Sequence, residues 1–119
     1  MAKRLTRGEV VWVRFSAGEG SEPDKTRPCI VVSNDGANSS AARHNRGVIT
    51  VVPLTASRSV ALPHQVALSR GASGLGEDSV AQIEQVRAVD VSRIAPTGRE
   101  VNPLVMDQID AALRVHLQL

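Results

Sequence analysis

Arginine supplies most of the chemistry this chain can offer. Twelve of its fourteen basic residues are Arg, the side chain whose planar fork suits phosphate groups and nucleic-acid base edges. Arg27 stands out because Pro28 follows it. Proline fixes its own φ and pushes the preceding residue toward extended geometry, so the guanidinium is presented at a strand entrance. The short β-branched run from Cys29 to Val32 follows, and Ser33, Asn34, Asp35 and Gly36 close it with turn chemistry. Other reactive groups are sparse. The single Cys29 cannot form an internal disulfide or a two-cysteine metal spacing and reads as an inert core thiol. His44, His64 and His116 share no metal-ligand spacing. No metal or other cofactor is expected.

Residues 1–58 carry nine Lys/Arg against five Asp/Glu, and residues 59–119 carry five against seven, so a net +4 half adjoins a net −2 half. That asymmetry allows a polyanionic partner. Trp12 and Phe15 are the only aromatic residues, too few for a binder built on aromatic stacking platforms. Any nucleic-acid contact must therefore rest on arginine and backbone. At 119 residues the chain is read as one domain, 1–119, able to bury a core without disulfides or metal. No apolar stretch approaches the ~20 residues of a membrane span, and the basic start leads into a strand pattern without a cleavage signal. A cytoplasmic, soluble protein is expected.

The elements that must position Arg27 are mostly short strands. GEVVWVRF (8–15) alternates Val11, Val13 and Phe15 on one face with Val10, Trp12 and Arg14 on the other. An eleven-residue polar loop, 16–26, then leads to Arg27; loops of this length in a small domain are often functional. Residues 36–46 are polar and basic, with enough Ala, Ser and Arg for one short helical turn. GVITVVPL (47–54) is the strongest strand pattern, ended by Pro53, with Thr55 directly after it. A second loop spans 55–63, HQVAL (64–68) is a shorter strand, and SRGASGLGE (69–77) is a turn region. Residues 78–91 are ambiguous: Val80, Ile83, Val86 and Val89 recur at helical spacing, whereas the β-branched content favours strand. RIAPTGREV (93–101) reads as a last strand carrying a turn. After it, Asn102 as N-cap and Pro103 at the first position open a helix with Val105, Ile109, Ala112, Leu113 and His116 or Leu117 along one side. The sum is mainly β with one terminal helix, a small barrel or α+β domain.

GEVVWVRF, GSE, TRPCIVVSND, ITVVPLTAS, EQVRAVD and the C-terminal amphipathic helix, in that order over nearly the whole chain, resemble the MazF/PemK toxins of bacterial toxin–antitoxin systems. The resemblance implies a small SH3-like barrel of the CcdB/PemK kind with a C-terminal helix, and makes 78–91 strand rather than helix. It further implies a homodimer that cleaves single-stranded RNA at short motifs without metal, and an acidic, MazE-like antitoxin that covers the cleft. Arg27 and Thr55 correspond to the family's catalytic pair. Within the same blocks, Ser21, Pro28, Asn34, Ser57, Arg58 and Gln85 are the candidates for holding the RNA strand.

Metal-free RNA cleavage turns the ribose 2′-OH on the adjacent phosphate, so the protein must stabilise charge growing on phosphate oxygens and move two protons. Arg27 can give a forked pair of charge-assisted hydrogen bonds and Thr55 one more. An arginine that stays protonated is a poor base. Glu22 and His64 are the candidate bases, with Glu22 preferred because the GSE block belongs to the resemblance. Read without it, Arg27 would be a surface arginine paired with Glu22 or Asp24, and Thr55 an ordinary strand-end residue. Arg43, Arg46, Arg58 and Arg70 are either solvated loop charges or a phosphate track. Glu84, Gln85 and Arg87 either contact bases or face solvent. Two other functions compete: a gyrase poison of the same fold, disfavoured because the only Trp is residue 12, and a non-catalytic SH3-like binding module, disfavoured by the lack of an aromatic groove.

Overall fold

The computed structural model describes residues 5–15, 25–57, 60 and 62–119. Its elements run β1 (Glu9–Phe15), β2 (Lys25–Val31), α1 (Asp35–His44), β3 (Val48–Ala56), β4 (Val66–Leu68), α2 (Arg70–Ser73), β5 (Ser79–Ala81), β6 (Arg87–Asp90), β7 (Ile94–Glu100) and α3 (Pro103–Leu117), with 3-10 turns at Ile83–Gln85 and Val91–Arg93. The strands are hydrogen-bonded in the order β4-β5-β3-β2-β1-β7, with β6 also on β3, and every pairing is antiparallel. This is the expected mainly-β class with a C-terminal helix.

Strand alternation sorts the core into two clusters, one on each face of the sheet. Val11, Val13, Cys29, Val31, Ile49, Val51 and Val89 pack together with Ala41 and Ala42 of α1. Val10, Ile30, Val52, Leu54, Val66, Leu68 and Ala81 pack with Val105, Ile109 and Leu113 of α3. Because both faces are covered, β2 and β3 read as near-continuous apolar runs. Each fully buried aliphatic side chain contributes about 1.5–3 kcal/mol through removal of apolar surface from water. The face toward α1 is concave. Arg87 is level with Val51 and Val31, and so six residues along β1 from Phe15. A flat sheet would hold the two residues roughly 24 Å apart, three strand spacings across and six residues along, beyond the reach of two extended side chains. Yet the Arg87 guanidinium lies 4.8 Å from the centroid of the Phe15 ring.

Four local expectations are revised. Residues 36–46 hold a ten-residue helix, α1, rather than one turn. Asn34 caps it by accepting from the Ala37 N–H at 2.8 Å, Arg43 and His44 lie in its last turn, and Asn45 closes it in the left-handed region at φ 49°. Its small Ala41 and Ala42 let it sit close on the sheet. Pro53 does not end β3, which runs on to Ala56. Within 69–77, the turn region contains the short helix α2, capped by Ser69. Residues 78–91 are two strands, β5 and β6, broken by the 3-10 turn at Ile83–Gln85; the helical spacing of their valines came from that break in the alternation. The terminal helix is as expected at its start, with Asn102 accepting from the Val105 N–H at 2.9 Å and Pro103 in the first turn. Its buried side is Val105, Ile109 and Leu113, while His116 and Leu117 are exposed.

Candidate active site

A proline helps to decide where β2 and β3 part. The ladder between them comprises Cys29–Pro53, Ile30–Val52 and Val31–Val51. The Pro53 carbonyl faces away from β2 and accepts from the Gln82 N–H at 2.9 Å. The next bonded level would join residue 28 to Leu54, but Pro28 has no N–H to give, and pairing stops there. Beyond it β2 continues along β1, with Arg27 opposite Val13 and Thr26 opposite Arg14. The end of β3 turns instead to β5, with Thr55 opposite Val80. Continuing the β2–β3 register two residues past Cys29–Pro53 sets Arg27 level with Thr55 across this fork. Both side chains point to the α1 face, since each lies two residues from the paired Cys29 and Pro53. Arg27 and Thr55 are half-buried there.

Arg87, at the start of β6, belongs to the same face. It is opposite Val51, two residues before the buried Val89, and its guanidinium sits over Phe15. The Cys29 thiol, fully buried between these cations, is pushed up to about 12 by burial, against the opposing pull of Arg27 and Arg87. It therefore keeps its proton at neutral pH and is no nucleophile; among the described residues its polar contact is a long one, 3.8 Å, from Sγ to the Arg27 carbonyl. Among the described residues no carboxylate lies within ion-pair distance of Arg27 or Arg87. Asp110 pairs with Arg7 at 2.7 Å, and Glu84 lies 3.9 Å from His64.

The remaining candidates are placed unequally. Pro28 is half-buried opposite Trp12, adjoining Arg27 but pointing to the other face. Ser57 lies just past Thr55, donates its backbone N–H to the Asp78 carbonyl at 3.1 Å, and lines a polar cavity of about 470 Å³ with Ala56, Arg70, Gly76, Glu77 and Asp78. Gln85 is exposed on the 3-10 turn before β6, at the β3 edge of the fork. Asn34 is not brought to this region: it follows the opposite end of β2 and its side chain caps α1. Ser21, Glu22 and Arg58 lie outside the described residues.

His64, the other candidate base, is seated on the α3 face. Its ring stacks on His116 at 5.7 Å between centroids, beside a cavity of about 570 Å³ between β4 and α3. The sheet separates it from Arg27. Among the described residues no group of His, Cys, Asp or Glu has the arrangement of a metal site. Arg87, which the sequence left undecided between base contact and solvent, lies on this face over Phe15; the alternation from buried Val89 back to Arg87 was the available signal.

A guanidinium and a hydroxyl on the two walls of a fork, with a second guanidinium beside them and, among the described residues, no carboxylate within ion-pair distance of either guanidinium, can receive an anion and stabilise charge that grows on it. Comparisons with known proteins agree with such chemistry. Residues 6–117 match the profile of PemK-like, MazF-like toxins of type II toxin–antitoxin systems. The endoribonuclease MazF9 of Mycobacterium tuberculosis is 45% identical over 116 residues, covering 97% of this chain and 98% of that protein. The endoribonuclease EndoA of Bacillus subtilis is 30% identical over 115 residues, covering 97% and 96%. Among solved structures, a MazE–MazF complex from Deinococcus radiodurans superposes with a TM-score of 0.78 at 24% identity, over 98% of each chain. A mycobacterial endoribonuclease in complex with its cognate antitoxin gives 0.68 at 25% identity, over 97% of this chain and 96% of that one.

Proposed function

Because the chain belongs to the PemK-like, MazF-like toxins of type II toxin–antitoxin systems, we propose that it is a sequence-specific endoribonuclease that cuts single-stranded RNA without metal. The observation that carries this reading is the register that sets Arg27 level with Thr55 across the fork between β2 and β3. The 2′-OH of the nucleotide before the cut gives its proton to a base and attacks the neighbouring phosphorus. The bond from phosphorus to the 5′-oxygen breaks, and that oxygen takes a proton. The products are a 2′,3′-cyclic phosphate and a 5′-hydroxyl. The nucleophile belongs to the substrate, so no metal hydroxide is needed. Arg27 spans two phosphate oxygens with its fork, and Thr55 donates one hydrogen bond from a strand end, both to charge that increases in the transition state. Glu22 is the proposed base, and Ser21, Pro28, Ser57, Arg58 and Gln85 the proposed contacts to the rest of the strand.

Cutting messages in the cytoplasm would stop translation and growth until an antitoxin binds. A disordered acidic segment that folds on binding suits that partner, because it can lie across the cationic fork and cover Arg27. A second copy of the chain is the other partner. Leu104, Val115 and Leu117 of α3, with Leu119 after it, leave 51–84% of their surface exposed and give such a copy apolar surface to bury. Incubating the purified protein with single-stranded RNA in EDTA, then sequencing the 5′ ends and identifying the 3′ phosphates, tests the reaction. Cuts at one recurring motif with cyclic phosphates support the reading. Intact RNA, or cleavage that stops in EDTA, overturns it.

A further inference from the structure

Arg87 is an exposed residue at the start of β6, and an exposed arginine would ordinarily sample many rotamers in water. Here its guanidinium is held over the Phe15 ring, 4.8 Å from the centroid, by attraction to the ring quadrupole. Phe15 is itself anchored, packing against the cluster that contains Val11, Val13 and Cys29. The contact uses the ring face and leaves the N–H edges of the guanidinium unspent: among the described residues its side chain has neither a hydrogen-bonded acceptor nor a carboxylate partner. Register puts it on the concave face that carries Arg27 and Thr55, since it is opposite Val51, which is itself opposite Val31 of β2. Arg27 and Arg87 both act on the charge state of the thiol between them, so the two cations flank one spot from β2 and from β6.

We propose that Arg87, oriented beforehand by Phe15, is a second phosphate-binding residue of the cleft, taking the phosphate next to the one that Arg27 meets. The assignment rests on the nuclease reading only in taking a single nucleic-acid strand as the ligand. One guanidinium fixes where a phosphate sits but leaves the strand free to swing about it; two cations on one concave face fix its direction, so that the 2′-OH can come into line with the phosphorus. Arg87 is thus a positioning residue, and its loss should raise KM more than it lowers kcat.

The test uses a pool of randomised, all-2′-deoxy single-stranded oligonucleotides, which offers the same phosphates and cannot be cut by 2′-OH attack. Binding by full-length wild type, Arg87→Gln, Arg87→Lys and Phe15→Leu is followed by fluorescence anisotropy over about 50–200 mM salt, with folding checked by thermal melting. In Arg87→Gln the slope of log K against log salt should become shallower by about 0.7, the increment for one phosphate on a single strand. Arg87→Lys should restore the slope without the full affinity, because it keeps the charge and loses the planar contact. Phe15→Leu should keep the slope and weaken binding. A wild-type slope in folded Arg87→Gln overturns the assignment. If wild type binds with the expected slope changes yet leaves RNA uncut in EDTA, the nuclease reading falls and the phosphate contact stands.

Discussion

Replacing Arg27 by alanine should remove cleavage while leaving the protein folded, and the geometry sets the size of both effects. Arg27 is half-buried at the edge of the β2–β3 ladder and has no carboxylate partner among the described residues, so its loss strands no buried opposite charge. The change in stability should stay within about 1 kcal/mol, the range of substitutions that touch no network. In the proposed reaction, by contrast, its two donors meet a phosphate that gains charge. Losing one preorganised donor of this kind costs roughly 10²–10³ in rate, so losing the fork should cost at least the upper end of that range.

Thr55→Val keeps the β-branched shape that suits β3 and deletes the hydroxyl, which should cost about 10². Because both residues meet one phosphate in the proposed reaction, their effects should not add: the double variant should be only slightly slower than Arg27→Ala. The measurement is single-turnover cleavage in EDTA for the four proteins, with melting curves alongside. An Arg27→Ala rate within about tenfold of wild type, some 1.4 kcal/mol, is less than one lost donor. That result would refute the catalytic role of the fork, as would strict additivity for a shared phosphate.

The thiol of Cys29 should stay silent toward alkylating reagents at pH 8 in the native protein and react once denaturant is added, since burial holds its pKa near 12. Its raised pKa also destabilises the fold in alkali. Below pH 9, the ordinary thiol value, both states keep the proton and the effect is absent; between pH 9 and 12 only the folded state keeps it, so stability should fall by up to about 1.4 kcal/mol per pH unit. A Cys29→Ala variant, measured by urea unfolding against pH, should lose that slope. At the other end of the chain, Asn102→Ala removes the cap that accepts from Val105 N–H and should cost about 1 kcal/mol, seen as a melting point lowered by a few degrees.

Strand existence was legible because β1, β2 and β3 are β-branched runs bounded by turn residues, and α3 because cap, proline and apolar spacing coincide at Asn102, Pro103 and Val105. Two features hid from local patterns. The helix α1 has little apolar content, and its stability comes from Asn34, Asn45 and the contact of Ala41 and Ala42 with the sheet, all of which depend on tertiary placement. In 78–91 the 3-10 turn at Ile83–Gln85 shifts the phase of the alternation, so neither a period of two nor a helical period fits throughout. Arg27 drew notice through Pro28, but it and Thr55 gained a site role in the sequence only through the family resemblance; the register adds that the two lie level across the fork.

That register also explains why the site lies where it does. A ladder that continued past Cys29–Pro53 would bond residue 28 to Leu54, hold Arg27 against Thr55 and close the space between them. Proline at 28 takes away the donor such a bond would need, and the two strands find other partners, β1 for Arg27 and β5 for Thr55. The fork is thus stable because each wall is paired elsewhere, and it is open because the walls cannot pair with each other. Restoring the donor should therefore narrow it. A Pro28→Val variant fits β2 by propensity. Amide exchange at position 28 slowed to the level of Ile30, together with slower cleavage, is the expected outcome. Fast exchange at the new amide, with cleavage unchanged, would mean that the strands part for a reason other than the proline.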